Sequence, residues 1–189
     1  MRKLLDLLLP RFLEVYNLER NLSIDETLIK FKGKIYFRQF IPIKPGGFGI
    51  KCCILAEASS GYTHVSKMYT GKENGVVRTN LGRKSVMGLM EAFFDKGYKL
   101  YMDNYYTSVP LFEDLDRRGT LACGTVRSTR KGLPRDITGV HNEEIKSLKR
   151  GESVYRQKDT VWVGRTAKWC TCWQPVQLIQ LAILRWKDQ

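Results

Sequence analysis

The amino-acid sequence predicts an α/β fold in which a mixed β-sheet is flanked by helices. Segments with alternating or continuous apolar residues, typical of strands, occupy the chain from about residue 23 to residue 69. Beyond residue 85, apolar residues at helical spacing alternate with further short strands. The predicted order is three strands, helix, strand, helix, strand. Three consecutive strands can pair as an antiparallel meander, and the strand after the helix can return beside the first.

Length and composition fit one packed domain. The chain has 189 residues, 43% of them hydrophobic and 11% aromatic, which is too apolar for a disordered chain. No apolar run approaches the roughly 20 residues of a membrane-spanning helix. Asp6 and Pro10 interrupt the apolar start of the chain, and no small-residue cleavage site follows, so we exclude a secretory signal. We predict an amphipathic helix in residues 1–20 with an apolar side formed by Leu5, Leu8, Leu9, Phe12 and Tyr16.

The first part of the sheet is predicted from residues 23–69. Residues 23–31 (SIDETLIKF) place Ile24 and Leu28 on one strand face and Asp25 on the other. A glycine turn, a basic and aromatic strand and a loop rich in Pro and Gly follow. Residues 50–56 (IKCCILA) are nearly continuously apolar, which favours a buried central strand, and residues 62–69 give the third strand.

The second part of the predicted fold begins at residue 85, where the spacing of the apolar residues changes from that of a strand to that of a helix. A helix over residues 85–96 is predicted from the stripe Val86, Leu89, Met90, Phe93 and Phe94, with Gly97 as its stop. A strand over 98–103 ends at Asp103, and Thr107 or Ser108 can cap the next helix, which Gly119 closes. The predicted pattern ends with a strand over 120–126, a basic linker and a hairpin over 151–163.

Asp103 has two interpretations at the C-terminal end of its strand, as a metal ligand or as a plain turn residue. The predicted strand order places it beside Asp25 in the first strand. Adjacent strands lie about 4.8 Å apart, so carboxylates on them can share a cation. Mg²⁺ suits such a site because it takes few carboxylates and keeps water and phosphate oxygens as its other ligands.

Several long blocks resemble piggyBac-type transposases and the host proteins derived from them. The resemblance runs in order from about residue 21 to residue 160. It rests on SIDETLIKFKGKIYFRQFIPIKPGGFGIK, YTGKE, GYKLYMDNYYTSVPLFEDL, ACGTVRSTRKGLP and RGESVYRQKDT. It implies a ribonuclease-H-like fold with three catalytic aspartates that bind two divalent metals, Mg²⁺ or Mn²⁺, for DNA strand cleavage and transfer. Asp25 and Asp103 match the first two of these aspartates.

The charge favours a polyanionic partner. There are 32 Lys and Arg residues against 19 Asp and Glu, a formal net charge of +13. DNA bound without sequence preference is the expected partner, rather than a membrane or a small-molecule substrate. A basic surface without a specific partner is the alternative, and a solvated charge is the simpler role of any single residue. The candidate DNA contacts are Lys30, Lys32, Lys34, Arg38, Lys44, Arg127, Arg130, Lys131 and Arg135.

Aromatic residues and cysteines add two further expectations. Tyr36, Phe37 and Phe40 are interleaved with the basic residues and could stack on bases, but packing in the core is the favoured role. The five cysteines have neither a disulfide framework nor the spacing of a zinc site. We therefore predict reduced thiols, no zinc and an intracellular, nuclear protein.

The sequence departs from the family pattern after the predicted hairpin. The family has a third catalytic Asp and a cysteine-rich zinc module there, whereas the acidic residues after Glu152 are Asp159, in a hairpin turn, and Asp188, next to the C-terminus. We expect an incomplete ribonuclease-H-like domain in residues 21–163. Residues 1–20 would be a remnant of an upstream region, and 164–189 an aberrant tail.

The tail has two explanations. A one-base frame shift across residues 168–174 (KWCTCWQ) gives a sequence close to the next strand of the family, and an unrelated C-terminal exon is the alternative. Functionally, we expect a truncated transposase-derived protein with at most non-specific DNA binding. In it, Asp25 and Asp103 would hold a metal ion only weakly. The alternatives are an active metal-dependent transposase or nuclease, and an open reading frame without a stable product.

Overall fold

The computed structural model describes residues 2–42, 44–71, 80–138, 143, 147–149, 152–169 and 175–183. The chain divides into two compact units, residues 1–92 and residues 93–189. Each unit contains its own strands and helices.

Unit 1 is an antiparallel sheet with two helices. Its elements are α1 (Arg2–Val15), β1 (Asn21–Lys30), β2 (Gln39–Phe40), β3 (Phe48–Glu57), β4 (Thr63–Met68) and α2 (Leu81–Met90). The central strand β3 pairs antiparallel with β1, from Leu22↔Glu57 to Lys30↔Gly49. Along its other edge, β3 pairs with β4 and with the short β2. The predicted N-terminal helix, central strand and antiparallel meander are therefore confirmed.

The core of unit 1 follows the apolar patterns. Side chains from β1, β3 and α2 are buried together, and α2 packs on β3 and β4. The buried set includes Leu22, Ile24, Ile50, Cys52, Leu55, Val86, Leu89 and Met90. The predicted helix stripe is thus correct, but the α-helix starts at Leu81 and gives way to a 3₁₀ turn at Glu91–Phe93. Asp95 and Gly97, at φ 62° and 73°, prevent its continuation.

The predicted basic and aromatic strand is wrong except for the two residues of β2. Residues 31–38 form turns and irregular backbone instead, and the N–H of Arg38 donates to the carbonyl of Ile35 at 3.3 Å. The Arg38 guanidinium also donates to the carbonyls of Lys32 at 3.1 Å and Gly33 at 3.3 Å. These local bonds satisfy backbone carbonyls that a strand would have offered to a neighbouring strand.

Unit 2 contains a mixed sheet. Its elements are β5 (Lys99–Met102), α3 (Val109–Arg117), β6 (Leu121–Thr125), α4 (Arg135–Thr138), β7 (Ser153–Lys158), β8 (Val161–Trp169) and β9 (Pro175–Ile183). Strand β5 pairs with β6 in parallel, whereas β6–β9, β9–β8 and β8–β7 are antiparallel. The β7–β8 pair is the predicted hairpin, and Asp159, at φ 54°, lies in its turn as expected.

Helix α3 packs against β6, β8 and β9. It buries Leu111, Phe112 and Leu115, and Gly119, at φ 64°, follows its end as predicted. Ser108 occupies the N-cap position but makes no side-chain capping bond. The Thr107 hydroxyl instead donates to the main-chain oxygen of Asp103 at 2.7 Å. The expected cap is therefore replaced by a bond that closes the turn after β5.

The C-terminal segment also contributes strands. The second half of β8 and all of β9 lie in residues 164–183, and β9 pairs with both β6 and β8. The origin of this tail by frame shift stays a prediction, and residues 170–174, which carry most of that argument, lie outside the described residues.

Candidate metal ligands and nucleic-acid interface

Asp25 is an exposed carboxylate in β1. Its neighbour Ile24 is buried, so the alternation of the strand directs Asp25 to the opposite face. Its Oδ1 accepts the N–H of Glu26 at 2.7 Å. Two lysines contact Glu26. Lys51 Nζ lies 2.9 Å from its carboxylate, and Lys44 Nζ donates to its main-chain oxygen at 3.2 Å. The backbone and side chain beside Asp25 are therefore well anchored.

Asp103 directly follows β5 and is also exposed. Its Oδ1 accepts the N–H of Tyr105 at 3.0 Å, and its main-chain oxygen accepts the N–H of Thr107 at 3.2 Å. The turn interpretation of this residue is therefore confirmed. Its carboxylate is exposed, and its role as a metal ligand stays a prediction.

Two arginines of the basic linker hold the same turn. Arg130 Nη2 donates to the main-chain oxygens of Asn104 at 3.1 Å and Tyr105 at 2.7 Å. Arg127 Nε donates to the Asn104 side chain at 3.3 Å. Both arginines were predicted as DNA contacts, and the structure gives each of them a partner within unit 2. The sequence could not show these contacts, because the linker follows the turn by more than twenty residues.

The donor chemistry of Asp25 and Asp103 fits Mg²⁺ or Mn²⁺, because both are exposed carboxylates. Within the described part of the chain, no group of three or more His, Cys, Asp or Glu side chains is placed to hold a metal ion. The two aspartates belong to different units. Their convergence on a common ion, and the pairing of their strands, stay predictions.

The remaining basic candidates differ in exposure. Lys30, Lys32 and Lys34 in unit 1 are exposed, as are Lys131 and Arg135 in unit 2. Arg38 and Lys44 are half-buried and bonded to main-chain oxygens. The exposed residues are therefore the better candidates for contacts with phosphate groups.

Comparison with known proteins establishes the family. The sequence profile of the family described as Transposase IS4 matches residues 1–181. The chain belongs to this transposase family. Two human proteins are similar to it. PiggyBac transposable element-derived protein 3 is 29% identical over 164 residues, covering 82% of the chain and 26% of that protein. The Chimeric ERCC6-PGBD3 protein has the same identity and coverage of the chain, and 15% of its own length is covered.

A solved structure gives the fold of this transposase-family chain. The cryo-EM structure of the piggyBac transposase synaptic complex with hairpin DNA has a TM-score of 0.83 at 24% identity. The match covers 96% of the chain and 36% of the matched chain. The piggyBac resemblance and the ribonuclease-H-like fold are therefore confirmed. The chain spans about a quarter or less of the two human relatives.

Sequence reasoning missed a buried carboxylate in this transposase-family chain. Glu57, at the end of β3, is 1% exposed. It accepts hydrogen bonds from the Ser60 hydroxyl, the N–H of Glu19 at 2.6 Å and the Tyr16 hydroxyl at 2.8 Å. These bonds, with that of Ser60 largest, lower the pKa of Glu57 from 4.5 to about 2. The sequence signal was Glu57 itself, which directly follows the apolar run IKCCILA. Burying a carboxylate without hydrogen-bond partners is costly, so a glutamate at the end of a buried strand indicates that it has partners.

The described cysteines of this transposase-family chain are reduced and lie outside any disulfide. Cys52 and Cys53 are buried in β3, and Cys123 is half-buried in β6. Burial raises the pKa of the Cys52 and Cys123 thiols, which disfavours the reactive thiolate. Cys170 and Cys172 lie outside the described residues, and the expected absence of zinc stays a prediction. No helix among the described residues combines the length and apolarity that crossing a bilayer requires.

Proposed function

We propose that this piggyBac-type chain binds DNA through its basic surface without sequence preference, and that the 189-residue chain does not cleave it. The observation that carries the proposal is the net charge of +13, concentrated where the chain has no opposing acids. Residues 28–48 contain five Lys and Arg residues and no Asp or Glu, and residues 127–135 contain four and none. A piggyBac transposase of the same fold was solved in complex with hairpin DNA, which supports this partner.

The physical basis is the release of counterions. Each phosphate that a Lys or Arg neutralises frees condensed cations, so the logarithm of the affinity falls with that of the salt concentration by about 0.9 per contact. Exposed Lys32 and Lys34 can reach phosphates without breaking a structural bond. Arg130 would have to leave its two carbonyls first.

Fluorescence anisotropy with a labelled duplex at several salt concentrations tests the binding. We expect a steep salt dependence, and Lys32→Glu with Lys34→Glu should weaken binding and reduce the slope by about one per lost contact. Lys149→Glu, an exposed lysine outside both basic segments, is the matched control and should have a smaller effect per charge. Absence of duplex binding even at low salt would overturn the proposal.

Catalysis is limited by the number of ligands. When bound, Mg²⁺ or Mn²⁺ supplies activation of the attacking oxygen and stabilisation of the leaving oxygen. Asp25 and Asp103 would hold the ions, and each anchors its carboxylate with a backbone N–H. They are two of the three aspartates that the family resemblance implies. Losing either the activation of the attacking oxygen or the stabilisation of the leaving oxygen raises the barrier by several kcal/mol. Every 1.36 kcal/mol costs about tenfold in rate. We therefore expect no detectable cleavage by this chain.

An active metal-dependent transposase or nuclease is the second candidate. The exposure of both Asp25 and Asp103 favours it, since each can reach a metal ion and a phosphate. Incubation of nicked-end and hairpin DNA with Mg²⁺ or Mn²⁺ separates the two candidates. Cleavage that disappears in both Asp25→Ala and Asp103→Ala would establish the second candidate and refute the first.

A further inference from the structure

Unit 1 exposes two aromatic rings that the sequence analysis placed in the core, Tyr36 at 87% and Phe40 at 59%. Phe48, which the sequence analysis did not assign, is 44% exposed. The expected core packing of Tyr36 and Phe40 is therefore wrong. Tyr36 lies in the irregular segment 31–38 instead of a strand, and Phe40, although it lies in the short β2, is exposed as well. Only Phe37 is half-buried, with its ring edge-on to that of Tyr36 at 5.0 Å.

Phe40 and Phe48 lie together, and Arg38 links them to the loop that carries Tyr36. Phe40 in β2 is paired with Phe48 in β3, and the two ring centroids lie 4.6 Å apart. The Arg38 guanidinium lies 4.7 Å from the Phe48 ring centre, in cation–π contact. Because Arg38 also donates to the carbonyls of Lys32 and Gly33, it fixes the turn to this aromatic pair. We name Tyr36, Phe40, Phe48, Lys30, Lys32 and Lys34 the aromatic–basic patch.

The charge of the patch selects the class of partner. Lys30, Lys32 and Lys34 are exposed, and residues 28–48 carry no acid to oppose them. An apolar partner would need no such charge, and a paired duplex would offer phosphates but keep the faces of its bases stacked. Single-stranded nucleic acid offers both phosphates and free base faces, and proteins bind it by combining positive charge with aromatic stacking.

We propose that the aromatic–basic patch binds unpaired DNA, with bases stacked on Phe40 and Tyr36 and phosphates held by the three lysines. This proposal rests on the proposed DNA binding, which supplies the anionic partner. It adds that the bases of the bound DNA are unpaired. The duplex affinity arises from the charge of the whole surface, whereas the preference for unpaired bases arises from these rings.

Three labelled probes of equal length separate charge from stacking. A thymidine 20-mer has bases and phosphates, an abasic 20-mer has phosphates alone, and a 20-base-pair duplex has stacked bases. Stacking of even one base predicts that the thymidine strand binds at least about fivefold to tenfold more tightly than the abasic strand. This comparison uses the unaltered protein and needs no variant.

Variants then locate the preference. Tyr36→Ala with Phe40→Ala should abolish the difference between the thymidine and abasic strands and leave duplex binding unchanged. Tyr36→Ala alone, at the most exposed ring, should retain the fold and reduce the difference. Tyr155→Ala, an aromatic residue 58% exposed in unit 2, is the matched control and should leave the difference intact. Circular dichroism verifies the fold of each variant.

The outcomes distinguish this proposal from the one on which it rests. If no probe binds, the proposed DNA binding itself fails. If duplex and abasic strands bind but thymidine binds no better than the abasic strand, or if Tyr36→Ala with Phe40→Ala keeps the preference, the stacking proposal fails alone. Self-association that the double variant abolishes in sedimentation experiments would assign the patch to a second copy of the chain and also overturn the proposal.

Discussion

The guanidinium of Arg130 donates a 2.7 Å hydrogen bond to the main-chain oxygen of Tyr105, 25 residues earlier in the chain. A second bond, to the oxygen of Asn104, holds the turn that begins at Asp103. A residue expected to contact DNA thus positions a candidate metal ligand through the backbone.

Arg130→Ala should destabilise unit 2, because two carbonyls lose a charged donor. The expected loss in the free energy of unfolding is about 1–3 kcal/mol, measured by urea denaturation. Lys131→Ala, its exposed neighbour, should change stability by less than about 0.5 kcal/mol. An Arg130→Ala variant as stable as the unaltered chain but deficient in DNA binding would instead make Arg130 a DNA contact.

Glu57 should make the stability of unit 1 depend on acid pH. Its pKa is about 2 in the folded chain against 4.5 ordinarily, so its contribution is complete above pH 4.5. That contribution is lost as the pH falls towards 2, because the unfolded chain then binds a proton that the hydrogen bonds of the folded state resist. Glu57→Gln should flatten the pH dependence of urea unfolding in this range, whereas Glu113→Gln, at an exposed carboxylate, should not. Equal profiles for the two variants would contradict the assignment.

Gly124 should tolerate no side chain. A Cβ there would lie 2.5 Å from Thr107 Oγ1 and 2.6 Å from the main-chain oxygen of Met102. Gly124→Ala would force apart β5, β6 and the turn after Asp103, with an expected cost of about 1–3 kcal/mol in urea unfolding. Gly164→Ala in β8 is the control, since its nearest neighbours lie 3.9 Å and 4.0 Å away, and should change stability by less than about 1 kcal/mol. If both substitutions lowered the free energy of unfolding equally, the cost would come from replacing any glycine in a strand and not from the close contacts at Gly124.

Binding of Mg²⁺ or Mn²⁺ should be weak, because exposed carboxylates must replace well-held water ligands. Isothermal titration calorimetry should show low affinity, further reduced by Asp25→Asn or Asp103→Asn and unchanged by Glu91→Gln at an exposed site. Tight binding would indicate a third ligand. An effect of only one of the two aspartates would contradict a shared ion.

Local patterns in the sequence determined the elements and the family. The apolar run at 50–56 specified the central strand β3, because a strand buried on both faces needs apolar residues throughout. The stripe from Val86 to Phe93 specified a helix face, since residues three and four apart share that face. Five blocks in order, including those around Asp25 and Asp103, carried the piggyBac resemblance, and both aspartates are exposed in the structure.

Only the tertiary structure decided which polar side chains hold the backbone and which remain available. Arg130 and Tyr105 are 25 residues apart, and Tyr16 and Glu57 are 41 apart, so no local period could pair them. Arg38 shows that a short separation can be missed as well. It donates to the carbonyls of Lys32 and Gly33, five to six residues away, in a loop where a strand was predicted and Tyr36 is exposed. Periodicity indicates which face of an element is buried, but a hydrogen-bond partner depends on where the chain returns in space, and that is fixed only when the whole unit folds.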